Sequence, residues 1–357
     1  MRPPATTLRL SLTASTNPWR SEELPPDKKI MMRLNGIDQK LLNLLQAKFP
    51  LTGAPYADLG LSLGIAEQEA IRRIEQLKAK GFIRQIGPVF NAASLGYRTT
   101  LVAMRVAEAR LDKAAEIIRN HPGVSHAYER DHHFNLWFTL AVPATIEMEA
   151  ELQRLAGPIK AESIFTLPAL RLFKLRAYFG SDGGGQSIMD TEASGGIIPQ
   201  EARLSPADRR VINELQQDLP LVPRPFAGMP VKLGMDGEKF LAQCQSLLSR
   251  GVMRRFGAAV NHRKAGFAAN AMTCWAAPPE KVVAAGQKLA SWREVSHCYE
   301  RKTNPLWRYN LFAMIHAHTE EACREIAAKV SAQTGLTDYV MLFSTREFKK
   351  TRVKYLV

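Results

Sequence analysis

His126-Ala127-Tyr128-Glu129-Arg130 returns later in the chain as His297-Cys298-Tyr299-Glu300-Arg301. Upstream of each lies a second matching stretch, Gly81-Phe82-Ile83-Arg84-Gln85-Ile86-Gly87 through Asn91 against Gly251-Val252-Met253-Arg254-Arg255-Phe256-Gly257 through Asn261. The glycine stretches are offset by 251 − 81 = 170 residues and the histidine stretches by 297 − 126 = 171, so two separate motifs agree on one period. A period that long marks a duplicated pair of domains and not a solenoid of short repeats.

Composition sets the class. The 357 residues are 46% hydrophobic, enough for the cores of several ordinary domains. The sequence shows no long apolar run of membrane-span length and no signal-peptide core, so a soluble, cytoplasmic protein is expected. Cys244, Cys274, Cys298 and Cys323 all lie in the second half without CxxC spacing, which argues against a disulfide framework and a structural zinc site. A net charge of +14 calls for an anionic partner, without choosing among nucleic acid, membrane surface and a small polycarboxylate. Residues 1–32, rich in Pro, Ser and Thr, read as a disordered tail, and the Gly-rich segment 180–203 as a flexible linker between the copies.

Within the first copy, Ile37, Leu41, Leu42, Leu44 and Leu45 recur at helical spacing behind Asn35 or Asp38 as cap. A second helix is predicted over Tyr56 to Leu63 and a third over Ala66 to Lys80, with Ile71, Ile74 and Leu77 inward and Gly81 closing it. A wing-like hairpin, Phe82 to Val89, completes a winged helix-turn-helix over 33–92, repeated over 204–263 with helices near Ala207 to Gln217 and Gly237 to Ser249. Residues 93–179 then read strand, helix, strand, strand, helix, strand: Thr99 to Val106, Leu111 to Asn120, Val124 to Arg130, Asn135 to Val142, Ala144 to Leu155 and Ile159 to Leu170. Residues 264–357 repeat that order from Ala269 to Arg346, giving an α+β chain with two ferredoxin-like βαββαβ domains. Winged helix-turn-helix plus βαββαβ resembles the Lrp/AsnC group of transcription regulators, whose second domain dimerises and binds small molecules.

Charge argues against DNA. The second copy's recognition-helix candidate, Asp236 to Arg250, holds only Lys239 before its terminal arginine, whereas a reading helix needs several donors for phosphates and base edges. Its counterpart has Arg72, Arg73, Lys78 and Lys80, but Glu67, Glu69 and Glu75 share that helix, and paired surface charges account for the set. Both helix-turn-helix units are read as degenerate.

Strand alternation puts Val124, His126, Tyr128 and Arg130 on one face, and Val295, His297, Tyr299 and Arg301 on the matching face of the second copy. A lone histidine is usually a satisfied core group; the recurrence of His-x-Tyr-x-Arg points to a site. These segments run on through Asp131-His132-His133-Phe134-Asn135-Leu136 and Lys302-Thr303-Asn304-Pro305-Leu306-Trp307-Arg308-Tyr309-Asn310-Leu311, and the chain closes on Ser344-Thr345-Arg346-Glu347-Phe348-Lys349-Lys350. The pair resembles the two subunits of the siroheme decarboxylase family fused head to tail, over nearly all of residues 33–357. That resemblance implies an Lrp/AsnC-like fold turned carboxy-lyase, removing the C12 and C18 acetate carboxyls of siroheme, through monodecarboxysiroheme, to give 12,18-didecarboxysiroheme and CO2 in heme d1 biosynthesis. The same reaction in siroheme-dependent protoheme biosynthesis is the alternative pathway.

Taking siroheme as the implied substrate, its eight carboxylates demand several cations, and Arg suits them because its fork makes two parallel hydrogen bonds to a carboxylate. Arg130, Arg301, Arg308, Lys349 and Arg352 are the candidates. Decarboxylating a pyrrole acetate needs an electron sink, which protonation provides, so a general acid is the indispensable group. His126 and His297 are the natural acids, with Tyr128 and Tyr299 orienting the macrocycle or relaying the proton. The scheme needs no added cofactor and no metal beyond the siroheme iron. His132 and His133, at a hairpin tip beside the site, are either a ligand to that iron or solvent-facing. Trp307, with Trp137 and Tyr309, either flanks the macrocycle or packs in a core or dimer interface; His316 and His318 read as structural, and Arg263 and Lys264 as solvated surface.

The resemblance implies an internal pseudo-dimer burying siroheme between its sheets, with room for a higher oligomer and for a hetero-complex with related decarboxylase subunits. Two histidines at one tip against Pro305-Leu306-Trp307-Arg308 at the other suggest that only one half is fully active. The second functional reading is a ligand-responsive regulator of the Lrp/AsnC kind, which an operator footprint would favour.

Overall fold

The computed structural model describes residues 34–175, 202–261 and 269–357. The tail, nearly all of the linker, and Arg263 and Lys264 lie outside the described residues. The first copy opens on α1 (Gly36–Ala47), α2 (Pro55–Leu63) and α3 (Glu67–Ala79). Asn35 caps α1, its side chain accepting from the Asp38 amide at 2.8 Å, so the cap is Asn35 and Asp38 sits in the first turn. Gly81 follows α3 at φ 72°, the left-handed conformation that ends a helix cheaply only with glycine. The second copy repeats this with α6 (Pro206–Leu215), α7 (Gly228–Leu233) and α8 (Gly237–Ser249). The short α7 escapes a sequence reading because Gly228 and Pro230 lie within its six residues.

The remaining elements are β1 (Ile83–Phe90), β2 (Tyr97–Arg105), α4 (Leu111–Asn120), β3 (Val124–Arg130), β4 (Leu136–Pro143), α5 (Met148–Ile159) and β5 (Ser163–Leu175) in the first copy. In the second they are β6 (Met253–Val260), β7 (Ala269–Trp275), α9 (Pro279–Ser291), β8 (Val295–Arg301), β9 (Leu311–Ala317), α10 (Glu320–Thr334) and β10 (Tyr339–Lys350).

The expected wing is a single strand. β1 pairs antiparallel with β6 of the other copy, Gly87 opposite Gly257, so each strand finds its ladder in its counterpart from the other copy and needs no turn. This ribbon crosses the two helical units over. Arg255 of β6 donates to the Gln46 carbonyl of α1 at 3.0 Å, while the Ile86 amide of β1 donates to Asp218 at 2.8 Å.

Each ferredoxin-like sheet has the order β3-β4-β2-β5 or its equivalent, and the long last strands join them. β5 pairs with β2 over residues 163–168 and with β8 over 169–175; β10 pairs with β7 over 339–343 and with β3 over 344–350. The eight strands thereby close into a barrel, which removes every sheet edge among them. Both last strands run beyond their expected ends, Leu170 and Arg346, because the extensions pair with the other copy.

Three apolar cores lie against these sheets among the described residues. α4 and α5 cover one sheet through Leu111, Ala114, Ile118, Leu152 and Leu155. α9 and α10 cover the other through Val282, Leu289, Cys323 and Val330. The third fills part of the space between the sheets with Trp137, Phe165, Leu167, Met272, Trp307 and Phe312. All four cysteines are buried as free thiols.

Candidate active site

His126 and Tyr128 belong to β3, and His297 and Tyr299 to β8. The register of each pair slips, between Val124 and His126 and between Val295 and His297. The slip turns Val124 and Val295 onto the helix-covered face, where they pack with Ala127 and Cys298, so neither valine shares a face with its histidine. It also brings a serine to each ring. Ser125 Oγ lies 2.9 Å from His126 Nδ1, and Ser296 Oγ 2.7 Å from His297 Nδ1. Ser296 Oγ is also 2.7 Å from His316 Nε2 of β9.

Cations gather around these rings. Lys350 stands opposite His126 in the β10–β3 ladder. Burial, and after it Lys350 and Arg84, push His126 down to about 4. Burial, then His126, Lys350, Arg255 and Arg301, push His297 down to about 4, and burial, His297 and Lys350 push His316 down to about 3. Burial raises the Tyr299 phenol, with Arg301 and Arg254 opposing. The two histidine motifs thus converge near Lys350, close to the arginines of the β1–β6 ribbon. Arg84 pairs with Glu347 at 3.0 Å, and Arg352 donates to the Gly257 carbonyl at 3.0 Å while burial pushes it down to about 10. A cluster rich in arginine and lysine beside part-buried imidazoles is suited to a polycarboxylate and to proton donation at its edge.

Family models match the chain in both copies. An AsnC-like ligand binding domain matches residues 94–174 and 264–349, and a siroheme decarboxylase NirDL-like HTH domain matches 38–84 and 208–254. A siroheme decarboxylase from Hydrogenobacter thermophilus is 38% identical over 88% of this chain and 94% of its own length. The chain belongs to the siroheme decarboxylase family. A crystal structure of the siroheme decarboxylase NirDL in co-complex with an iron-uroporphyrin III analogue matches with TM-score 0.68 and 34% identity, over 90% of this chain and 95% of that one. The beta subunit of the Methanosarcina barkeri siroheme decarboxylase is 40% identical over 41% of this chain and 97% of its own, the size of one copy.

Against this siroheme decarboxylase fold, the other residues singled out in the sequence separate into groups. Arg130 is 4% exposed, donates to the Leu342 carbonyl at 2.8 Å and has its guanidinium 5.4 Å from the Tyr128 ring centroid. Arg301 repeats this with Leu167 at 2.8 Å and Tyr299 at 4.8 Å. Lys349 donates to the His121 carbonyl at 2.7 Å and its repeat Lys174 to the Trp292 carbonyl at 2.6 Å, each at a helix C-cap. Arg308 is exposed and paired with Asp338 at 2.8 Å. Trp307 is 3% exposed and stacks in the inter-sheet core.

His132 accepts from the Phe134 amide at 3.0 Å and has its ring against Trp307, while His133 is exposed beside Phe134. β3 carries the chain from His126 to Arg130, roughly 13 Å of extended backbone, and His132 lies beyond its end, in the bend that follows. The structure therefore brings together His126 and His297, with Tyr128, Arg130, Tyr299 and Arg301 on the same strands, places Arg352 on the ribbon beside Gly257, and leaves the tip residues, Arg308 and Lys349 apart from the histidines.

Ser125, Ser296, Arg84, Arg254, Arg255 and Lys350 stand near the histidines without being singled out in the sequence, and His316, read there as structural, reaches His297 through Ser296. A signal existed for some: a serine precedes both histidines, and Arg84 and Arg254 sit one period apart in the quoted glycine stretches. On α3, Arg72 pairs with Glu69 at 2.7 Å, Arg73 with Asp38 at 2.8 Å and Lys78 with Asp218 at 2.6 Å, as paired surface charges require. Among the described residues no helix is long and apolar enough to cross a membrane.

Proposed function

We propose that this chain decarboxylates siroheme, removing the C12 and C18 acetate carboxyls through monodecarboxysiroheme to give 12,18-didecarboxysiroheme and CO2, as a carboxy-lyase of heme d1 biosynthesis. The observation that carries this reading is the convergence of both His-x-Tyr strands on Lys350 and the ribbon arginines Arg84, Arg254 and Arg255. Those cations and Arg352 take the carboxylates that do not react. His126 and His297 serve as proton donors, Tyr128 and Tyr299 orient the macrocycle, and Arg130 and Arg301 hold the tyrosine rings in place. Tip residues His132, His133, Trp307 and Arg308, and the helix-bound Lys349, are assigned no part in the proton transfer. No added cofactor is needed, because the reaction exchanges a carboxylate for a proton. Relatives named as subunits support a hetero-complex with related decarboxylase chains.

The test is anaerobic incubation of the purified chain with siroheme, followed by mass spectrometry, with His126→Ala and His297→Ala alongside. Loss of two CO2 from the macrocycle, abolished by at least one variant, is expected. Tight binding at unchanged mass, with and without related subunits, would sink the reading.

A further inference from the structure

The two copies differ where their histidines are served. In the second, Ser296 Oγ sits 2.7 Å from His297 Nδ1 and 2.7 Å from His316 Nε2, one hydroxyl bridging two imidazoles. A hydroxyl donates to one ring while accepting from the other, so the three groups form a continuous proton path. In the first copy Ser125 touches His126, but the position matching His316 is Ala141. The match is fixed by the ladders: His316 follows Ile315, opposite Val295, as Ala141 follows Leu140, opposite Val124. The backbone agrees, since the His316 amide donates to Glu294 and the Ala141 amide to Gly123. The hairpin between β8 and β9 is four residues longer than that between β3 and β4, nine against five, which moves His316 off the 171-residue period and hides the comparison in the sequence.

We propose that His316 is the proton-supplying partner of His297, acting through Ser296, and that the second copy is thereby the half equipped for repeated proton delivery. The inference rests on the decarboxylase reading above. Each decarboxylation breaks one C–C bond, releases CO2 and turns that electron pair into a C–H bond, so one proton is consumed per carboxylate lost. Two losses consume two protons. A donor holding one proton must be recharged between them, and His316 does this by passing a proton to Ser296 as Ser296 passes its own to His297. Burial first, and then Lys350 of β10, Arg255 of β6, Arg301 and His126, the charged or titratable groups acting on this pair, hold both rings below the ordinary histidine range. The carboxylates of bound siroheme offset those cations and draw protons onto the rings.

Full-length protein, His316→Ala, His316→Gln and Ser296→Ala are compared anaerobically for siroheme affinity by absorbance titration and for both decarboxylation rates by mass spectrometry. Glutamine keeps a hydrogen bond to Ser296 but carries no exchangeable imidazole proton. All three variants should bind siroheme within about twofold of wild type and decarboxylate on the order of tenfold or more slower, with imidazole in the buffer restoring part of the rate of His316→Ala. A His316→Gln enzyme at wild-type rate reduces His316 to a structural hydrogen bond and overturns the relay. So does a slow His316→Ala enzyme with an unchanged pH–rate profile and no response to imidazole. Wild-type protein that binds siroheme without releasing CO2 fails at the earlier step, the decarboxylase reading, and takes the relay with it.

Discussion

Arg130 donates to the Leu342 carbonyl at 2.8 Å across 212 positions of sequence. Leu342 lies where β10 leaves its own sheet for the other, and Arg301 makes the same bond to Leu167 at the matching point of β5. The motif arginines therefore tie each histidine strand to the strand that closes the barrel. Arg130→Ala should remove about 1–3 kcal/mol of stability by leaving a buried carbonyl unpaired. Urea unfolding checks this; unchanged stability with lost siroheme binding would make Arg130 a substrate contact instead.

Acid should loosen the fold before it is strongly protonated elsewhere. His126 and His297, at about 4, and His316, at about 3, all sit below the ordinary 6.5. As pH falls below 6.5 the unfolded chain takes up these protons first, so stability is lost progressively from about pH 6.5 down through the folded values. Thermal melts at pH 7.5 and pH 5 should show a lower midpoint at pH 5, and His316→Ala should shrink the difference. Equal differences in both proteins would mean that His316 is not held neutral.

Gly87 and Gly257 face each other in the ribbon, yet substituting them should cost different amounts. A Cβ at Gly257 would collide with the Leu45 carbonyl of α1, which is fixed backbone, whereas one at Gly87 would meet Arg352 Nη1 at 2.9 Å, the movable end of a side chain. Gly257→Ala should destabilise by about 1–3 kcal/mol and Gly87→Ala by less. The reverse order in urea melts would contradict the packing of α1 on β6.

Arg254 is near Tyr299, and its guanidinium lies 3.5 Å from Asn91 Oδ1. If it meets a substrate carboxylate, Arg254→Gln should weaken siroheme binding by about 1.5–3 kcal/mol, the worth of a charged hydrogen bond, and flatten the salt dependence of affinity. Unchanged affinity at low salt would remove Arg254 from the binding cluster.

Much of the helical and strand order was legible because it is local. The bounds of α4, β3 and α8 follow from apolar spacing, caps and terminal glycines, which act within a few residues. Misread pieces were those whose partners lie far away in sequence. The wing became a strand because β6 completes its ladder, and Val124 left the histidine face because of a slip against β4. His132 and His126 are six positions apart, but β3 ends at Arg130 and His132 lies in the bend beyond it.

The sequence by itself determined the duplication, the fold of each copy and the two His-x-Tyr-x-Arg strands, since these are repeated patterns with a fixed period. Only the tertiary structure decided that an aromatic core fills part of the space between the sheets, that Lys350 and the ribbon arginines act on the histidines, and that Ser296 bridges to His316 where the first copy has Ala141. The reason is physical: periodicity encodes which face a side chain takes, but electrostatic clusters and hydrogen-bond bridges form between strands whose register is set by closing the barrel.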